Sequence, residues 1–351
     1  MVAIGLLDIP PEIHLQIAEF AGTGKALKAL SLTSRSLRSI AQSVLFQTLR
    51  ILLEKKLRGS IDDLLANPRI CAAIQAFVLV GPFVPMGRCN YEEKLSLIMK
   101  LLPEMVGLRM VHIHRAHISR AFMEVFLERA ASTPLRVKLG WNTYPPDINP
   151  TLIEPVRISH IYLGYPSHSD HGFYQSVFRA SATILTELEI ALDEGVLMKL
   201  AYINLPSLHD FILYICAENE VSRTSAAAFL TAQRTIRKLV LKGKISPFPA
   251  LPPDALPDLR EVSSSTELVN RLVPGRPLEV IKVGPSPGDG QGWPGEEVGR
   301  STARVRELQL RLNIPTFDIR VVKRIVTVFP FLESLWLFVL DNVCRPFDPL
   351  P

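Results

Sequence analysis

A short hydrophobic pattern recurs along the chain from residue 74 onward: an apolar residue, two residues of any type, a second apolar residue, one residue of any type, and a third apolar residue. The last two apolar positions alternate with polar ones, which is typical of a strand with one buried face. The clear copies are Ile74-Phe77-Leu79, Leu108-Val111-Ile113, Ile158-Ile161-Leu163, Leu185-Leu188-Ile190, Leu208-Phe211-Leu213, Ile236-Leu239-Leu241, Leu278-Ile281-Val283, Val305-Leu308-Leu310 and Leu332-Leu335-Leu337. Weaker copies begin at Pro134, with Val137 and Leu139, and at Leu259, with Val262. Successive copies start 19 to 34 residues apart, which is the period of a solenoid.

Segments with helical spacing lie between the predicted strands. Their apolar sets are Leu95, Ile98 and Leu102; Phe122 and Phe126; Phe173 and Val177; and Phe317, Val321 and Ile325, with Ser119 and Thr316 as candidate caps. Parallel strands joined by helices bury their faces only when neighbouring units stack. The pattern therefore predicts an α/β fold of stacked strand and helix repeats. The alternative is a plain α/β domain built on one sheet.

The first 50 residues follow a helical period instead. Pro10 and Pro11 stand where a helix would begin, because proline lacks the amide hydrogen that is left unbonded there. Leu27 and Leu30 predict a short helix after a break at residues 22–24. The flanking apolar stripes are Ile13, Ile17 and Phe20 before the break, and Leu37, Ile40, Ala41 and Val44 after it. A three-helix unit of this size has more apolar residues than its interior can cover, so some of them should face a partner.

The stretch from residue 7 to residue 49 resembles the F-box, a motif that binds a Skp-type adaptor of cullin-based ubiquitin ligases. The resemblance lies in Leu7-Asp8-Ile9-Pro10-Pro11-Glu12-Ile13 with Ile17, in Leu30-Ser31-Leu32-Thr33-Ser34-Arg35, and in Ala41, Leu45 and Phe46. It implies a three-helix domain over residues 1–50 that binds the adaptor, and through it a cullin. The adaptor-binding residues that it implies are Leu7, Pro10, Ile13, Ile17, Leu30 and Leu32. The alternative is an ordinary helical cap on a larger domain.

The strand pattern within residues 51–351 resembles an irregular leucine-rich repeat, which implies a curved solenoid with parallel strands. Loops rich in proline or glycine are expected near residues 140–155, 244–258 and 284–303. Leucine-rich repeats usually bind protein targets on the concave sheet face, through residues that alternate with the buried ones. The target site implied in this way contains His112, His114, Tyr162, Ile212, Tyr214, Lys238, Trp336 and Phe338. For the last two residues the alternative is that the tail from Asn342 to Pro351 covers them as a terminal cap.

Composition and charge exclude several classes of protein. With 48% hydrophobic and 21% charged residues, the chain has the composition of a folded protein. The net charge of +5 comes from dispersed residues, and the cluster Lys55, Lys56 and Arg58 is expected to be a solvated face, because nucleic-acid sites need aromatic platforms as well. The four cysteines form no CxxC pair, and no apolar run reaches 18 residues. We therefore expect a protein of the cytoplasm or nucleus that binds neither nucleic acid nor membrane.

Two glycine motifs match catalytic signatures poorly. Residues 284–288 fit the GxSxG pattern of hydrolases, but Pro287 follows the serine and has no amide hydrogen to give to an oxyanion. The GxGxxG match at Gly290, Gly292 and Gly295 does not follow a strand directly.

His112, His114 and His117 have metal-like spacing, but no acidic or cysteine ligand lies beside them. Exposed imidazoles on a binding surface are therefore favoured over a metal site. We predict a non-catalytic substrate receptor of a ubiquitin ligase, with no catalytic residue, metal or cofactor. The alternatives are a repeat scaffold that takes no part in ubiquitination and, third, an enzyme that acts at the 284–303 loop.

Overall fold

The computed structural model describes residues 10–21, 24–53, 58–81, 88–140, 153, 155–164, 171–191, 194–215, 220–243, 248–284, 296–312 and 319–339. The chain forms two compact units, Met1–Ile158 and Ser159–Pro351. Both contain parallel strands joined by helices, so the predicted α/β class is confirmed. The identification of α1–α3 as an F-box and of the strands as leucine-rich repeats stays a prediction.

The first unit begins with three helices and continues with alternating strands and helices. The helices are α1 (Pro11–Ala21), α2 (Gly24–Thr33), α3 (Arg35–Leu45), α4 (Arg58–Leu65), α5 (Pro68–Ala73), α6 (Arg88–Leu101) and α7 (Arg120–Ser132). The strands are β1 (Thr48–Leu52), β2 (Ala76–Val80), β3 (Met110–His114) and β4 (Leu135–Gly140), each paired in parallel with the next. The carbonyl of Pro10 accepts hydrogen bonds from the amides of Ile13 and His14, so the predicted start of α1 is confirmed.

In the second unit the strands again pair in chain order. They are β5 (Ile158–Gly164, whose first residue ends the first unit), β6 (Glu187–Ala191), β7 (Asp210–Ile215), β8 (Lys238–Gly243), β9 (Glu261–Ser265), β10 (Val280–Gly284), β11 (Glu307–Leu312) and β12 (Ser334–Val339). The helices are α8 (His171–Ser181), α9 (Glu194–Leu200), α10 (Glu220–Ala232), α11 (Thr266–Leu272) and α12 (Ile319–Val328), with a 3₁₀ helix at Glu296–Arg300.

A strand forms at every predicted copy of the hydrophobic pattern, and its apolar positions supply the core. Phe77, Phe211 and Leu239, each the second apolar residue of its copy, are fully buried. The copy in β12 differs, because Leu335 and Leu337 are only half-buried. Among the described residues β12 pairs with β11 alone, so its own side chains have fewer neighbours.

Strand β1 was not predicted from the sequence. Phe46, Leu49 and Ile51 repeat the apolar spacing of the later copies, and β1 pairs in register with β2 through Leu49 opposite Phe77 and Ile51 opposite Leu79. These residues follow α3 almost directly, and Phe46 and Leu49 fall within the first 50 residues, whose period is helical. The repeat pattern therefore starts one copy earlier than predicted.

Polar side chains join successive repeats at the turns that lead into the strands. Gln233 is buried, and it accepts a hydrogen bond from the Leu205 amide (3.1 Å) while donating one to the Ile203 carbonyl (2.8 Å) of the preceding repeat. In the first unit Arg129 donates to the Val106 carbonyl (2.7 Å) in the same manner. Different residue types make these bonds, which explains why no fixed polar position recurs in the sequence.

The described part of the predicted proline-rich loop 244–258 is irregular and is held in place by Arg276. The guanidinium is 3% exposed and donates to the carbonyls of Ala255 (2.9 Å), Leu272 (2.8 Å) and Pro252 (3.1 Å). Burial lowers the pKa of Arg276. Residues 248–258 are therefore a fixed part of the second unit.

The other two predicted loops fall partly outside the described residues. Residues 141–152 and 285–295 are among those not described. Within the predicted loop 284–303, Val298 is fully buried in the 3₁₀ helix, so a hydrophobic anchor interrupts a segment rich in glycine and polar residues. Among the described residues no helix is both long enough and apolar enough to cross a membrane.

Candidate protein-binding surfaces

One face of helix α1 packs against the other two helices, and its large apolar side chains are exposed to solvent. His14 and Ala18, four residues apart, are buried, and Ala18 joins Leu27 and Ala41 in the core of the three helices. Ile13 and Ile17 are 41% and 37% exposed, and Phe20 is 92% exposed. Ile13, Ile17 and Phe20, named here the α1 stripe, therefore form an exposed apolar surface.

Of the predicted adaptor-binding residues, Ile13 and Ile17 belong to the α1 stripe, and the others that are described differ in exposure. Pro10 is exposed, Leu32 at the end of α2 is 78% exposed, and Leu30 is half-buried against the helical core. Leu7 lies outside the described residues. Phe20 was not in the predicted set, although its place seven residues after Ile13 marked it as part of the same helical face.

A groove of about 360 Å³ lies between the three helices. Glu19 and Gly24 line it together with Leu27, Val44 and Leu45. The groove and the α1 stripe are surfaces of the same three-helix assembly. The apolar α1 stripe suits a helical or extended protein partner, and the groove beside the helical core offers polar as well as apolar atoms.

In the second unit, several predicted target-binding residues meet on the outward face of β5–β8. Tyr162, Glu189 and Ile212 are in register on neighbouring strands. Tyr214 donates a hydrogen bond to the Glu189 carboxylate (2.7 Å), and Lys242 donates to the Tyr214 hydroxyl (3.1 Å). These five residues are named here the tyrosine cluster.

The two tyrosines of the tyrosine cluster are half-buried, and this changes their titration. Burial, together with the hydrogen bond to Glu189 and the charge of Glu189, raises the pKa of Tyr214 to about 12. Burial also raises the pKa of Tyr162, with contributions from the charge of Glu189 and from Tyr214. Both phenols are therefore neutral at physiological pH. They present aromatic surface with a polar tip, the composition that carries much of the energy in protein interfaces.

Lys238 lies beside a group of carboxylates on the same face. Its ammonium is 3.9 Å from Glu261, which also binds Lys282 at 2.8 Å. The pKa of Asp210 is raised by burial and by Glu187 and Glu261, while Lys238 lowers it. Lys238 is thus part of a mixed-charge network rather than a single positive centre.

Trp336 and Phe338 are 53% and 43% exposed on β12. Arg311 on β11 lies over the Phe338 ring, with its guanidinium carbon 5.8 Å from the ring centre. The tail predicted as an alternative cover for these two residues is outside the described residues. Both aromatics remain candidates for partner contact.

His112 and His114 are half-buried on β3 in the first unit, with ring centres 6.1 Å apart. Burial lowers the pKa of His112, as do the charges of His114, Lys138 and Arg50. Burial also lowers the pKa of His114, together with the charge of Arg115.

One hydrogen-bond chain in the second unit has the order of a hydrolase triad. The Ser159 hydroxyl is 2.7 Å from Nδ1 of His160, and Nε2 of His160 is 2.7 Å from the Glu187 carboxylate. These two contacts fix the orientation of the His160 imidazole on the outward face of β5.

The described residues contain no group of three or more His, Cys, Asp or Glu side chains that could hold a metal ion. Both glycine motifs lie almost entirely outside the described residues. No family model matches the chain, and none of the curated proteins compared with it matches it.

Proposed function

We propose that the protein is the substrate receptor of a cullin-type ubiquitin ligase. In this proposal α1–α3 bind a Skp-type adaptor as an F-box does, and the outward sheet faces bind a protein target. The receptor itself performs no chemistry. Its contribution is to hold the target near the ubiquitin-charged enzyme, which raises the effective concentration of the reacting groups.

The α1 stripe is the observation that carries the proposal. A large apolar side chain gains roughly 1.5–3 kcal/mol when it moves from water to a buried site. A helix that leaves part of Ile13 and Ile17 and nearly all of Phe20 in water forgoes part of that gain in the free chain. A protein partner that covers the stripe recovers it, and the F-box resemblance names an adaptor as that partner.

The test is co-purification of the full chain with a Skp-type adaptor and a cullin. Replacing Pro10 and Ile13 by alanine should lower adaptor affinity at least about tenfold, because a side-chain contribution of 1.4 kcal/mol already changes affinity tenfold. The matched control is Leu15→Ala, since Leu15 is also about one-third exposed on α1 but lies outside the stripe. Adaptor capture by the double variant at the level of the unmodified chain would contradict the F-box assignment.

Target binding is tested with Tyr162→Ala combined with Tyr214→Ala. This variant should lose a captured ligase target while retaining adaptor binding and its melting temperature, because the tyrosine cluster belongs to the sheet face and not to the helices. Proteins that accumulate on the receptor when the proteasome is inhibited supply the targets for this experiment. Unchanged capture would move the target site away from the tyrosine cluster.

A repeat scaffold that takes no part in ubiquitination is the second candidate. The mixed-charge, tyrosine-rich face of β5–β8 favours protein binding with or without a ligase. Adaptor binding without cullin, or target capture without any change of target level after proteasome inhibition, would favour the scaffold.

A further inference from the structure

The outward side of β1–β4 carries positive charge without any acidic residue. Ile51, Phe77, Val111 and Val137 mark the buried side of these strands. The residues that alternate with the buried ones are Thr48, Arg50, Leu52, Ala76, Val78, Val80, Met110, His112, His114, Arg136, Lys138 and Gly140. This set, named here the basic face, contains three permanent cations and two imidazoles.

The cations of the basic face are placed in rows. Arg50, Val78, His112 and Lys138 are in register across the four strands. Neighbouring strands lie about 4.8 Å apart, so the Cα atoms of this row span about 14 Å. Arg50 and Lys138 at its ends are exposed, and His112 between them is half-buried.

The outward side of β5–β9 in the second unit differs from the basic face, because it contains acidic residues. There the outward positions include the acids Glu187, Glu189, Asp210 and Glu261. Glu261 forms ion pairs with Lys238 and Lys282, and Glu189 accepts a hydrogen bond from Tyr214. The charges of the basic face also act on His112: burial lowers its pKa, and the charges of His114, Lys138 and Arg50 lower it further.

We propose that the basic face binds an acidic segment of a protein. The charge argues for an anionic ligand, and the half-buried Val78, Val80 and Met110 give it apolar neighbours. Nucleic acid fits less well, since stacking of bases needs aromatic rings and the basic face has no Phe, Tyr or Trp. The proposal rests on the proposed function only in taking this segment to belong to a ligase target.

Binding is measured by fluorescence anisotropy with the full chain and a short labelled peptide in which glutamate alternates with leucine. The expected result is saturable binding that weakens as salt is raised, since the contacts are exposed ion pairs. A peptide with glutamine in place of glutamate should bind much more weakly. Equal affinity for the glutamine peptide would overturn the proposal.

The basic face is located by the double variant Arg50→Glu with Lys138→Glu. We expect a loss of at least about tenfold in affinity, because two attractive contacts become repulsive. The matched control is Arg69→Glu with Lys100→Glu, an equal change of charge at exposed positions on α5 and α6 of the same unit. Arg50→Gln with Lys138→Gln is the milder pair if the reversal disturbs folding, and it should lose about threefold or more.

Each outcome decides the question. Loss of binding in the basic-face variants with retention in the control supports the proposal, whereas equal affinities in all variants overturn it. The proposal is also overturned, in favour of nucleic acid, if a labelled single-stranded DNA binds through the same residues more tightly than the acidic peptide does. Adaptor co-purification is scored separately: a chain that binds the acidic peptide and no adaptor refutes the ligase role alone, and the reverse result refutes the basic face alone.

Discussion

Replacing Arg276 by methionine should be among the most destabilising single changes in the second unit. The guanidinium is almost fully buried, and its hydrogen bonds to Ala255, Leu272 and Pro252 join the described part of the proline-rich loop to α11. Methionine keeps much of the aliphatic length of arginine but makes none of these bonds. The change therefore isolates the contribution of the guanidinium.

The magnitude follows from the bonds that are lost and from the desolvation that is relieved. Three hydrogen bonds from a charged donor contribute roughly 4–9 kcal/mol in total. Removing the guanidinium also removes the cost of keeping a cation out of water, which offsets part of that loss. We expect a net decrease of about 3–5 kcal/mol in the free energy of unfolding, in the range seen when one partner of a buried charged contact is deleted.

Urea unfolding followed by circular dichroism measures the loss, and limited proteolysis shows whether the loop becomes cleavable. The control is Arg300→Met, since the Arg300 side chain is 68% exposed and pairs with Glu297 on the surface. It should change the free energy of unfolding by less than about 1 kcal/mol. If Arg276→Met costs no more than this control, the loop does not depend on the guanidinium and the reasoning is wrong.

Three further predictions concern the strands. Leu239→Ala should cost about 2–5 kcal/mol in urea unfolding because Leu239 is fully buried, whereas Lys238→Ala next to it should cost less than about 1 kcal/mol; equal losses would mean that the strand register is wrong. Gly243→Ala should lower the melting temperature by more than Gly275→Ala, although both glycines have positive φ. A Cβ at residue 243 would lie 2.0 Å from a carbonyl oxygen of β7, whereas a Cβ at residue 275 meets nothing within 4 Å. Thermal melts with the reverse order would refute this. Because the folded-state pKa of His112 is lowered, the unfolded chain takes up a proton more readily, and the free energy of unfolding should fall as pH drops below about 6.5. His112→Gln should make that fall smaller. An unchanged pH profile of stability in this variant would show that His112 contributes nothing to it.

The strands could be predicted because their evidence is local. Two alternating apolar positions and an entry residue, as in Leu208-Phe211-Leu213, define a half-buried strand without reference to any other part of the chain. Every predicted copy forms a strand for this reason. The missed strand β1 obeys the same rule, but its residues follow a helix so closely that the helical period was preferred.

The exposed side of α1 could be predicted only in part. The F-box resemblance implied Ile13 and Ile17 as adaptor-binding residues, but the helical period alone would equally allow them to face the core. The structure buries Ala18, because a small side chain lets α1 approach α2 and α3 closely. The choice depends on tertiary contacts that periodicity does not describe.

The tyrosine cluster was predicted in part. Alternation along single strands identified Tyr162 and Tyr214 as outward residues. The hydrogen-bonded partners of Tyr214, which are Glu189 and Lys242, are brought to it by the register between strands, and register depends on loops of different lengths. The same limit applies to the basic face, whose rows of charge become visible only when four strands are aligned.

The side chains that bind one repeat to the next have a consequence for how the molecule could be shortened or rebuilt. Gln233 forms hydrogen bonds with the backbone of the preceding repeat through its side-chain amide. Arg129 bonds to the backbone of its own preceding repeat through a guanidinium. Because different side chains join successive repeats, one repeat cannot take the place of another, as it can in an array of identical consensus repeats. Removing one whole repeat would bring together turns that lack matching donors and acceptors, so this chain should tolerate point substitutions on its outward faces far better than the deletion of a complete module.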